Sequence, residues 1–201
     1  MTKYTHACVR LEHPDGGVLV IDPGIWTEPE AARGADAVLV THRHADHADV
    51  ARLAVVRADF YGPRDADGVI PIDPGEEFEA AGFRIRAVGG RHAPVYRGQP
   101  DVINLGYLIG RACYHPGDSF HVPDLAGPVE ILLIPVQGSW MKIADAADFA
   151  GTIQARHVIG VHEGQLNRRG LGAANEWLTR LISGYRYLAP GEDLTMGPLP
   201  Y

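Results

Sequence analysis

The sequence predicts a mixed α/β fold, and three observations carry that reading. Short apolar runs separated by turn residues fill the first two thirds of the chain. Helical spacing is concentrated after residue 140. No linker rich in Ser, Gly or Pro divides the two regions, so strands and helices belong to one layered unit. A chain of 201 residues buries roughly 70% of its unfolded surface, enough for a core without disulfides. A single domain over residues 1–201 is expected.

Each element has its own justification. Residues 7–12 and 18–21 flank Pro14-Asp15-Gly16-Gly17, a hairpin signal. Residues 37–40 form an apolar run that ends in a polar, histidine-rich loop, and a short helix is expected over 48–53. Further strands are expected at 69–72, 83–88, 102–109, 111–114 and 131–134. The 83–88 run alternates, as a half-exposed strand does, whereas 131–134 is apolar throughout and reads as buried on both faces. Residues 144–156 carry Ala147, Ala150 and Ile153 at helical spacing, with Asp145 and Asp148 near the start, where carboxylates suit the dipole. The run His157-Val-Ile-Gly-Val follows. A last helix over 173–182 carries Trp177, Leu178, Leu181 and Ile182 as an apolar stripe, with Trp177 read as core.

Composition narrows the function classes. Eighteen Lys plus Arg against 25 Asp plus Glu leave a net charge of −7, which gives no general attraction to phosphate backbones or anionic lipid. Asn167-Arg168-Arg169 is the densest basic cluster and too short to reverse this, so neither nucleic acid nor membrane is expected as a partner. Cys8 and Cys113 have no metal or redox spacing and read as small buried side chains in a reduced compartment. The amino terminus has no apolar signal stretch, and no window approaches about 18 apolar residues. A cytoplasmic protein acting on a small molecule is expected; nothing in the sequence speaks to its oligomeric state.

Ten histidines are the outlier of the composition. Four residues with ligand chemistry fall in Thr41-His42-Arg43-His44-Ala45-Asp46-His47. In an extended loop, positions two apart point the same way, so His42 and His44 can grip one metal together. Asp46 and His47 follow the turn toward a helix and can face a second metal. Imidazoles with a carboxylate suit zinc, and also iron or manganese. His92, Asp118 and His162 each follow a strand-like run, where a sheet presents loop ligands on one edge. Asp118 can bridge two metals through its two oxygens. His115 and His121 bracket Asp118 as rivals or proton donors, while His6, His13 and His157 read as structural.

With these motifs the chain resembles the metallo-β-lactamase-fold hydrolase superfamily over most of its length. Asp22 in Ile21-Asp22-Pro23-Gly24, the His42–His47 loop, His92, Asp118 and His162 appear in that family's order. The helix over 144–156 leading to His162 is similar to the subgroup of ascorbate-6-phosphate lactonase-like proteins. The resemblance implies a four-layer αβ/βα sandwich with a dinuclear metal site at the sheet edges. It implies His42, His44 and His92 on one metal, Asp46, His47 and His162 on the other, Asp118 as the bridge, and Asp22 as a carboxylate orienting the histidine loop. The implied reaction is hydrolysis of a small ester, lactone or phosphodiester by a metal-bridging hydroxide, with Asp46 and Asp118 as the catalytic carboxylates. Two divalent ions, zinc foremost, are the expected cofactors. The alternative is a non-catalytic metal-binding regulatory or structural protein. Loops 24–30, 93–101 and 138–142 are expected to wall the pocket, with Trp26, Tyr96 and Trp140.

Overall fold

The computed structural model describes residues 1–99, 101–110, 112–125 and 127–195. Two mixed sheets face one another. The first runs β1 (Thr2–Lys3), β2 (Val9–Glu12), β3 (Val18–Ile21), β4 (Ala37–Leu39), β5 (Asp59–Gly62) and β6 (Ile70–Pro71), in that order across the sheet. The second consists of β7 (Glu77–Ala80), β8 (Phe83–Gly89), β9 (Leu105–Ile109), β10 (Cys113–His115), β11 (Ile131–Pro135), β12 (His157–Val161) and β13 (Tyr185–Tyr187), again in chain order. Each sheet begins antiparallel and turns parallel, from β3 onward in the first and from β10 onward in the second.

Burial explains the pattern. The apolar residues of β4 and β11 are buried throughout, as central parallel strands require. Leu11, Leu19, Ile21 and Leu39 from the first sheet meet Ile85, Leu105, Leu133 and Ile159 from the second in one core. The outer face of the second sheet is covered by α2 (Ile143–Ile153), which buries Ala146, Phe149, Ala150 and Ile153, and by α3 (Arg168–Leu181). A left-handed Gln154 ends α2, and the Asn167 side chain accepts the Arg169 and Gly170 N–H groups at the start of α3. Among the described residues, the 3₁₀ turn Pro29–Ala32 packs Ala31 on the outer face of the first sheet, while the short α1 (Val50–Leu53) leaves Val50 exposed. This is the mixed two-sheet sandwich with helices outside, and its helical cover is thin on one side. Among the described residues no helix is long and apolar enough to cross a membrane.

Several expectations need correction. Trp177 and Leu181 are 55% and 53% exposed. The row that packs is Ala174, Leu178 and Ile182, four apart, so Trp177 and Leu181 are turned off that face. Trp177 lies under the Arg180 guanidinium instead. The strand expected over 102–109 begins only at Leu105; before it Val102 and Asn104 accept the His92 and Gly90 N–H groups while the Ile103 N–H turns to Asp65. The strand expected from Arg111, which lies outside the described residues, starts at Cys113.

The topology fixes where loops converge. β1, β3 and β4 run parallel in the first sheet, and β8, β10 and β12 run parallel in the second. Asp22, His42, His92, Asp118 and His162 all come just after the C-terminal ends of these strands, at one rim of the sandwich.

Candidate metal centre

Asp22 organises the first loop. It is fully buried and left-handed, with φ of 51°. Its carboxylate accepts the Thr41 N–H and the Thr41 hydroxyl at 2.7 Å each, and the His47 Nδ1–H at 2.7 Å. With its proton committed to Asp22, the Thr41 oxygen accepts the His42 Nδ1–H at 3.0 Å. Gly24 presses this turn onto the loop, since a Cβ there would sit 1.8 Å from the Asp46 carbonyl oxygen.

The second sheet supplies the opposite wall. Asn104 accepts the Asp118 N–H at 2.9 Å and donates to Pro116 O at 2.9 Å, holding the turn in place. Gly117 sits in that turn with φ of 61°, where a Cβ would approach Asn104 Oδ1 to 2.3 Å. Asp118 Oδ1 lies 3.3 Å from His47 Nε2 and 3.1 Å from His162 Nε2. Its Oδ2 lies 3.3 Å from His92 Nε2 and accepts the Trp140 Nε1–H at 3.1 Å. The other nitrogens of these rings are engaged on oxygens: His92 Nδ1 on Ala93 O at 2.6 Å and His162 Nδ1 on Gln137 O at 2.5 Å.

The result is a set of imidazoles whose Nδ1 atoms are committed to oxygens and whose Nε2 atoms turn inward. The Nε2 atoms of His6, His42, His47 and His162 and Asp118 Oδ1 are buried without a hydrogen-bond partner. Buried polar atoms are rarely left so, and a cluster of acceptors facing one another fits a cation. The ligand atoms of His42, His44 and His92 lie within 4.8 Å of one another, as do those of His6, Asp46, His47 and His162, and those of His42, His47 and Asp118.

The electrostatics follow the same geometry. Burial alone would raise the Asp118 carboxyl, but His47 and His162 hold it well below the usual carboxylate range. For His47 burial is outweighed by Asp118 and Asp22, which raise it well above the usual imidazole value. Burial pushes His42 well below that value, and the neighbouring His47 adds to the effect. Asp46 is held at about 2 despite partial burial, through His6 and His47.

The structure therefore gathers His42, His44, Asp46, His47, His92, Asp118 and His162 at one rim, with His44 on its solvent side. Two other histidines are placed apart. His115 Nε2 donates to Ala7 O at 2.8 Å, and its Nδ1 accepts the Gly117 N–H at 3.1 Å, so neither nitrogen is free as a ligand or proton donor. His121 is exposed and stacks over Gly89. His6, read from the sequence as structural, lies inside the centre. Its Nε2 is 3.2 Å from Asp46 Oδ2 and its ring is 3.9 Å from that of His162. Like the others it follows the C-terminal end of a strand, β1. A two-residue strand leaves no apolar run to announce it.

Beside the centre a cleft of about 450 Å³ is bounded by His44, His92, Tyr96, Arg43, Arg91 and Arg97. Trp140 stands 6.2 Å from the His92 ring and 6.5 Å from that of His162, while Trp26 lies 4.8 Å from His6. A larger cavity of about 610 Å³, between Phe78, Leu108 and Val129, touches none of the gathered residues.

Residues 1–162 match the Beta-lactamase superfamily domain. The chain belongs to that superfamily. This member of the beta-lactamase superfamily is 31% identical over 179 residues to a Mycobacterium tuberculosis protein, covering 81% of this chain and 83% of that one. It is 32% identical over 164 residues to a UPF0173 metal-dependent hydrolase of Thermoplasma volcanium, covering 71% and 73% of the two chains. Among solved structures it is similar to Igni18, a metallo hydrolase of Ignicoccus hospitalis, with a TM-score of 0.69, 21% identity and 95% of both chains covered.

Proposed function

We propose that this metal-dependent hydrolase holds two divalent cations and hydrolyses a small-molecule ester, lactone or phosphodiester. His42, His44 and His92 would hold one cation, Asp46, His47 and His162 the other, with Asp118 shared between them. The observation that carries this reading is the convergence of unpartnered Nε2 atoms on Asp118 Oδ1. The donor set of imidazoles and carboxylates suits zinc first, with manganese or iron as the other candidates. When bound, the cations supply a hydroxide at neutral pH, by lowering a water pKa toward about 7, and polarise the oxygen that gains charge.

The chain's own residues set the rest of the chemistry. Trp140 donates to Asp118 Oδ2, which also faces His92, while Oδ1 faces His47 and His162. Asp46 and Asp118 are the carboxylates placed to accept a hydrogen bond from the attacking group and aim it at the substrate. The cleft has the volume of a small-molecule site. Arg43 is tied to Asp65 and Arg91 to Asp101, whereas Arg97 has no ion pair among the described residues. A cationic wall of this kind favours substrates with a negative group. The run of α2 into β12 and His162 supports a place beside the ascorbate-6-phosphate lactonase-like proteins. Elemental analysis and turnover of bis-p-nitrophenyl phosphate and a panel of lactones test the proposal. Two equivalents of metal with turnover of one class are expected. Bound metal with no turnover on any member would favour the non-catalytic, metal-binding alternative.

A further inference from the structure

Resting on the two-metal reading above, we propose that His6 is a positioning residue that holds the Asp46 carboxylate through its Nε2–H, and not an additional ligand. Proximity alone would make it a ligand, because its ligand atom falls within 4.8 Å of those of Asp46, His47 and His162. Its hydrogen bonding decides otherwise. The Gly164 N–H points at His6 Nδ1 at 3.1 Å. A backbone N–H only donates, so Nδ1 presents its lone pair and the neutral ring carries its proton on Nε2.

The candidate ligand rings have the opposite arrangement. His42, His47, His92 and His162 engage Nδ1 on oxygen atoms and turn Nε2 inward. Among these rings His6 turns an N–H toward the centre; Asp46 Oδ2 lies 3.2 Å from its Nε2, although the two are not aligned as a full hydrogen bond. A ligating carboxylate commonly keeps one oxygen for the metal and gives the other to such a donor.

The local structure is built to keep that ring in place. His6 is fully buried with φ of 69°, a left-handed conformation that a non-glycine residue adopts only when its surroundings impose it. Its N–H donates to Glu163 Oε1 at 3.0 Å, and its carbonyl accepts the His162 N–H at 3.0 Å. Glu163 is in turn fixed by Lys3, buried beside it at 2.5 Å. Gly164 is required for the approach, since a Cβ there would lie 2.9 Å from His6 Nδ1.

Two measurements on the full chain test this. In zinc-loaded protein labelled with ¹⁵N-histidine, the His6 ring, assigned by its loss in His6→Gln, should show its proton on Nε2. A proton on Nδ1 with a metal-shifted Nε2 overturns the proposal. Chelator competition then compares the wild type with His6→Ala, His6→Gln, Asp46→Ala and the His6→Ala/Asp46→Ala double variant. His6→Ala should weaken the second metal by about 10–100-fold and leave the first unchanged. His6→Gln, which restores a donor, should recover much of that loss, and His6→Ala should add nothing once Asp46 is gone. Equal affinity in the wild type and His6→Ala, or additive losses in the double variant, would refute the positioning role. A wild type that binds a single metal would refute the two-metal reading instead, and the ring's proton would still decide the role of His6.

Discussion

Asp22 shows how much of the centre hangs on one side chain. Its two oxygens fix Thr41 and His47 directly and His42 through the Thr41 hydroxyl. Replacing Asp22 with Ala should cost about 10–100-fold in metal affinity, read by chelator competition, although Asp22 lies behind the ligands. Turnover at limiting metal should fall in parallel and recover in part with excess metal. The histidine loop was legible in the sequence because its residues are neighbours and their spacing is itself the signal. His6 was not, because its partner Glu163 is 157 residues away. His92 and His115 look alike in the sequence, each near a strand end. The Ala7 carbonyl on His115 Nε2 and the Gly117 N–H on its Nδ1 separate the one that faces the centre from the one locked against the backbone.

Loops and turns decide the shape of the rim. The turn at Gly24 touches the Asp46 backbone so closely that Gly24→Ala should cost about 1–3 kcal/mol by overpacking. The melting temperature, read by calorimetry, should drop by about 2–4 °C per kcal/mol, with less bound metal. An unchanged melting temperature would mean that the two loops separate freely. On the cleft side, Arg97→Ala should raise KM several-fold for an ester with a carboxylate tail, such as mono-p-nitrophenyl glutarate. It should leave KM for p-nitrophenyl butyrate unchanged, and equal effects on both would remove the arginine from substrate binding. At this scale the longer strands were readable from their apolar runs. β1 (Thr-Lys), β5 (Asp-Phe-Tyr-Gly), β7 (Glu-Phe-Glu-Ala) and β13 (Tyr-Arg-Tyr) are short and carry polar residues instead of an apolar run, and their pairing is tertiary in origin. In α3 the sequence shows two apolar rows, Ala174–Leu178–Ile182 and Trp177–Leu181, and the first of them is the one that is buried.

For the molecule as a whole, burying so many imidazoles makes metal-free stability depend on pH. His6, His42, His44 and His115 are all lowered, chiefly by burial, while His47 is raised by Asp118 and Asp22 against the effect of burial. A lowered histidine binds its proton more readily when unfolded, so its contribution is present above pH 6.5 and is lost as pH falls toward the folded value. For His6, moving from 6.5 to about 4, the loss is about 3 kcal/mol. His47 acts in the opposite sense, losing its contribution as pH rises through its elevated value. The metal-free protein should therefore lose melting temperature between about pH 6.5 and 4, less so in His6→Gln. A flat profile over that range would contradict the burial of neutral rings. A mixed α/β fold was legible from the order of elements and the two-sheet sandwich through the family resemblance, while the thin outer cover of the first sheet agrees with helical spacing concentrated after residue 140.

The link between His6 and the 162–164 turn also sets an order in time. Translation delivers His42, His44 and His92 well before Asp118 and His162. At about 5–20 residues per second, the roughly 70 residues from His92 to His162 take about 4–14 s to appear. Until then His6 has neither Glu163 nor Gly164 to brace it. A nascent chain thus meets the metal pool of its surroundings with half a site, and the other half closes only when the last parallel strands arrive.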